Sequence, residues 1–124
     1  MYKELLIAAP ILLALDFVYL TTNRAFFERQ IISVQKFAMK IKMIGVIVCY
    51  IFILFGLYYF ILKNHRRPLD AFILGLVIYG IYETTSYATL KNWKIEMVVL
   101  DTLWGGILFY LTTWLTYWIE RNVF

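Results

Sequence analysis

Asp16, Glu83 and Asp101 are the residues of this 124-residue chain whose type and setting could do chemistry. Each lies inside an apolar run. An ionised acid there costs about 2.5–3.5 kcal/mol at the centre of a membrane helix and less near its ends. The penalty is relieved by a proton, a bound cation or a basic partner. The chemistry on offer is therefore proton or cation binding, or general acid–base work in a site of low dielectric. The plain alternative is a polar lock between helices.

The neighbours are polar in matching register. By helical spacing Tyr79, Glu83, Ser86 and Tyr87 share one face, and Asp101, Gly105, Thr112 and Thr116 share another that Leu108 interrupts. Tyr19 and Asn23 follow Asp16, and Trp104 lies one turn from Asp101. These residues are expected to line the acids, with Arg24, Lys91 and Lys94 as candidate counter-charges. The polar faces do not continue, since Leu76 and Phe72 lie below Glu83, and Leu12 and Ala9 below Asp16. A pocket open on one side is predicted rather than a continuous pore, so conduction would need a homo-oligomer or a rearrangement.

The elements that must hold these residues follow from composition. Hydrophobic residues make up 63% of the chain and charged ones 16%, where a soluble domain runs about half apolar and about a quarter charged. Ten Tyr and four Trp suit the membrane–water boundary. The expected fold is all-α: a polytopic membrane protein forming a single domain over 1–124, with four transmembrane helices at about 5–22, 43–62, 69–90 and 97–119. Between the first two, Phe27, Ile31, Val34, Ala38 and Ile41 recur at helical steps opposite Arg29, Lys36, Lys40 and Lys42. This predicts an amphipathic helix over 24–42, lying in the interface or connecting the spans through water.

On this topology Asp16 sits six residues before the end of its span, Glu83 seven before, and Asp101 four after the start of its own. All three then fall roughly 6–11 Å beneath the same boundary at ~1.5 Å per residue. One shared cluster is expected. The far side holds both termini and the basic turn Lys63–Arg67 before Pro68, which reads as cytoplasmic. Small-residue stripes, Gly80/Thr84/Ala88 and Ala71/Gly75, predict close helix packing.

Other classes are set aside. The net charge of +4 comes from short clusters beside apolar runs, which suit lipid headgroups rather than nucleic acid. Cys49, the single cysteine, reads as a small buried hydrophobe, and His65 as a solvated turn residue. No metal site of transition-metal type, no Ser–His–Asp set, no phosphate loop and no cofactor are implied. Trp93, Trp114 and Trp118 read as interface anchors or packing.

Three stretches carry a family resemblance: Leu15–Leu20 around Asp16, Tyr79–Leu90 around Glu83, and Leu100–Gly105 around Asp101. They resemble a family of small membrane proteins catalogued as domain of unknown function 2177. That family typically shows Tyr-Asp-Leu-Thr-Asn where this chain has Tyr82-Glu83-Thr84-Thr85-Ser86, so the acid is longer and the amide becomes a hydroxyl. The resemblance implies four spans and no particular activity. The leading functional expectation is a channel or carrier in the lipid bilayer handling protons or cations at Asp16, Glu83 and Asp101. The alternatives are a lipid-modifying enzyme using Glu83 and Asp101 as acid and base, and a structural or regulatory subunit whose acids lock helices.

Overall fold

Apolar runs interrupted at Asn23, at the Lys63–Pro68 turn and at Trp93–Lys94 leave helices as the way to satisfy backbone hydrogen bonds without water. A computed structural model describes residues 3–23, 43–89 and 93–123 and is all-α among them. Four helices are present: α1 (Lys3–Thr22), α2 (Met43–Leu57), α3 (Pro68–Thr89) and α4 (Ile95–Val123). The amphipathic segment expected over 24–42, with Arg24, lies outside the described residues, and so does Lys91.

Three stretches are long and apolar enough to cross a membrane: Lys3–Thr22, Ile44–Leu62 and Ile95–Val123. Helix α3 has 22 residues, but Asp70, Glu83, Thr84, Thr85, Ser86 and Thr89 dilute its apolar character. Of the four spans expected, three therefore qualify by length and composition. Helix α3 turns its most polar side inward instead, burying Glu83 and Ser86 while Ile73, Val77 and Ile81 stay exposed.

Helix α3 packs on α4 through glycine. A Cβ added at Gly75 would collide with the Gly105 carbonyl, and one at Gly105 with the Tyr79 ring. Such close approach needs small residues, because lipid supplies no hydrophobic force between helices. Of the two stripes expected from sequence, Ala71/Gly75 is buried here. Thr84 and Ala88 face outward, and Gly80 would make only ordinary contact, with Thr102.

Beneath the acids the core is dry. Ala8, Leu12, Leu57, Leu62, Leu108 and Phe109 are fully buried where α1, α4 and the end of α2 meet. At that end α2 widens into one π-helical turn over Tyr58–Leu62, whose Ile61 and Leu62 join the core. The first part of α2 diverges from the others. Ile44, Ile51 and Phe52 are exposed, and a Cβ at Gly45 or Gly56 would meet nothing within 4 Å.

Opposite the acids, the ends of the bundle are tied by side chains. His65, at φ 50°, places Nε2 3.4 Å from Glu4 of α1 and Nδ1 3.9 Å from Glu120 of α4. Its ring stacks on Tyr117, whose hydroxyl donates to the Arg66 carbonyl at 2.7 Å. His65 is 55% exposed, as expected of a turn residue, with its two ring nitrogens turned towards the two carboxylates. The trio carries metal-ligating atoms within 4.8 Å of one another. Each ring nitrogen faces a different carboxylate. Asp70 pairs with Arg66 and Arg67, so part of the basic turn is neutralised locally.

Gly75→Ala should destabilise the protein by about 1–3 kcal/mol through overpacking against backbone. Gly45→Ala, made in open space, should leave stability equal or about 0.5–1 kcal/mol higher. Unfolding in detergent followed by far-ultraviolet circular dichroism compares the two directly.

A carboxyl cluster beside an apolar cavity

Each acid reaches the site from a different helix. Asp16, 6% exposed, sits in the last two turns of α1; Glu83, 1% exposed, lies in α3; and Asp101, 8% exposed, lies near the start of α4. Helical rise carries all three to one level, and side chains of every helix converge there.

The hydrogen bonds are specific. Trp104 Nε1 donates to Asp16 Oδ1 at 3.0 Å, and the Tyr50 hydroxyl of α2 donates to Asp16 Oδ2. The Tyr19 hydroxyl donates to Asp101 Oδ1 at 3.2 Å. Trp93 Nε1 donates to Glu83 Oε1 at 3.0 Å. Glu83 and Asp101 face each other across the α3–α4 contact, both lining the same cavity. The Tyr19 and Trp104 rings stack at 4.5 Å with 3° between their planes, fixing the two donors against each other.

These donors are phenols and indoles, which are neutral. Each hydrogen bond to a charged oxygen contributes on the order of 1.5–3 kcal/mol net, without cancelling the charge.

The cluster lines an open-sided cavity of about 850 Å³ between α1, α2, α3, Trp93 and the start of α4. Its other walls include Tyr50, Cys49, Phe52, Tyr79 and Tyr82. Cys49 is exposed there rather than buried as a small core residue, because the first part of α2 stands away from its neighbours.

Of the residues expected to line the acids, Tyr19 and Trp104 bond to them directly and Tyr79 lines the cavity. Gly105 acts through packing, receiving the Tyr79 ring. Ser86 is buried on the Glu83 face of α3. Others lie apart. Asn23 donates to the Tyr19 carbonyl at 3.0 Å and so closes α1. Tyr87 is 52% exposed, since it sits four positions after Glu83 on a face that rotates outward. Thr112 is fully buried about 16 Å along α4 from Asp101, in the core below. Lys94 is exposed at the approach to α4.

Tyr50, Cys49 and Trp93 were not legible as site residues. Helix α2 is apolar on all sides, so no period points Tyr50 or Cys49 inward. Trp93, in the connection before α4, matches the pattern of an interface anchor equally well.

Long apolar helices with acids gathered between them define an integral membrane protein with a polar interior site. Residues 1–118 match the family described as predicted membrane protein (DUF2177), and the chain belongs to that family, as the motifs around its three acids implied. No curated protein and no solved structure matches the chain.

Trp104→Phe removes a donor from a buried acid and should cost about 1–3 kcal/mol. Trp114→Phe and Trp118→Phe, at residues 48% and 45% exposed, should each change stability by less than about 0.5 kcal/mol. Chemical denaturation of the three variants in one detergent measures the difference.

Proposed function

We propose that this protein is a membrane carrier or channel that handles protons or cations through Asp16, Glu83 and Asp101. The observation that supports this reading best is the cluster itself: three buried acids from three helices, held by the neutral donors Tyr19, Tyr50, Trp93 and Trp104. A lock between helices is most stable when opposite charges or neutral partners satisfy one another. Acids held together by neutral donors keep an affinity for a positive charge that binds and leaves.

In this reading the chain is one membrane domain with α3 as a fourth span, its polar face turned to α4. The Lys63–Arg67 end, with the termini, lies in the cytoplasm. Leu12, Leu108 and Phe109 close the way beneath the acids, so transfer to the other side needs a change of conformation or a neighbouring copy. That favours a carrier working by alternating exposure, as a homo-oligomer, over an open pore.

One observation favours a second reading. The cavity beside the acids has mostly apolar walls that suit a lipid chain, and Glu83 and Asp101 both line it, placed to act as acid and base.

Liposomes containing the purified protein should dissipate an imposed proton or cation gradient. Glu83→Gln should slow this by about tenfold or more, corresponding to about 1.4 kcal/mol of lost interaction. Unchanged flux in a folded Glu83→Gln variant would contradict the transport reading. Absent flux, with lipid turnover that Asp101→Asn abolishes, would establish the enzyme instead.

A further inference from the structure

The cavity is far larger than a proton or a bare metal ion needs. At about 850 Å³ it falls in the range of small-molecule sites, about 300–1,000 Å³. Its composition is also that of such a site, with aromatic and aliphatic walls and a few convergent polar groups. Tyr50, Phe52, Tyr79, Tyr82 and Trp93 supply the aromatic surface, and Asp16, Glu83 and Asp101 supply the polar groups.

Two physical requirements narrow the occupant. Apolar walls cannot replace the hydration shell of a small inorganic ion, so an ion entering this space must carry its own apolar coat. The acids require that the occupant be positive, and aromatic rings add attraction for a diffuse cation, strongest for quaternary groups. A neutral lipid chain would satisfy the walls and bring no charge to the acids, whose hydrogen-bond donors among the described residues are the neutral Tyr19, Tyr50, Trp93 and Trp104. A hydrated metal ion would satisfy the acids and not the walls.

We propose that the cavity binds a lipophilic organic cation, an ammonium or phosphonium centre with alkyl or aryl substituents, with the carboxyl cluster as its counter-charge. This rests on reading the cluster as a proton- and cation-handling site and names the class of cation it takes. A proton on the buried carboxyl cluster and the organic cation compete for the same negative charge. Entry of one favours release of the other, which makes the site an exchanger of protons for such cations.

Cys49 provides the test, because the chain's single cysteine lines this cavity and is exposed in it. The full chain in detergent micelles is reacted with a maleimide, with and without tetraphenylphosphonium. At about ten times its Kd the cation should slow modification of Cys49 about tenfold, by simple occupancy. Triphenylphosphine oxide, a neutral compound of similar shape, should protect weakly or not at all. The Glu83→Gln/Asp101→Asn variant, if folded by circular dichroism, should keep wild-type Cys49 reactivity and lose the protection. Equal protection by the neutral compound, or protection that persists in the Glu83→Gln/Asp101→Asn variant, would overturn the proposal. Failure of tetraphenylphosphonium to protect, alongside proton flux in liposomes that depends on Glu83, would overturn the cation class and leave the proton-handling reading standing.

Discussion

Removing a carboxyl group from water is costly, and the burial of Asp16, Glu83 and Asp101 constrains much of this bundle. An acid alone among apolar side chains would be neutralised or would expel its helix from the membrane. Here the acids accept hydrogen bonds from two indoles and two phenols. Those donors come from α1, α2, α4 and the connection before α4, so satisfying the acids also orients the helices. The stacked Tyr19 and Trp104 rings then hold two of the donors in place.

This constraint explains the contrast between the two ends of the molecule. Where the acids lie, α2 stands away, contributing chiefly Tyr50, and leaves a cavity of about 850 Å³. At the other end Leu57, Leu62 and Phe109 form a mainly apolar core, and His65 lies between Glu4 and Glu120 above them. Between the two, α3 and α4 are drawn together at Gly75 and Gly105, which brings Glu83 and Asp101 to one cavity. A rigid α3–α4 pair facing a more loosely held α2 is a geometry in which one wall of the site can move while the acids stay fixed.

Much of the cluster was legible from residue type and helical rise. Charges are rare inside apolar runs, and three at one depth on antiparallel helices have one natural meeting place. The limits have physical causes. A helix as uniformly apolar as α2 has no period to orient it, so Tyr50 and Cys49 could not be assigned a direction. Tyr87 shares the nominal face of Glu83, but successive turns rotate that face enough to leave it exposed. The Glu4–His65–Glu120 grouping joins residues far apart in sequence, and no local spacing announces it. The Gly75–Gly105 contact depends on the facing helix, whereas a stripe such as Gly80/Thr84/Ala88 is visible in one helix alone.

The central claim is that the acids form one unit able to exchange a proton for another positive charge. Infrared difference spectroscopy of the carboxyl stretching region, on the protein in lipid, tests it most directly. The account predicts a protonated-carboxyl band at neutral pH that is absent in Glu83→Gln and is lost when a bound cation replaces the proton. A spectrum with no such band, or a band that Glu83→Gln, Asp101→Asn and Asp16→Asn all leave unchanged, would contradict it.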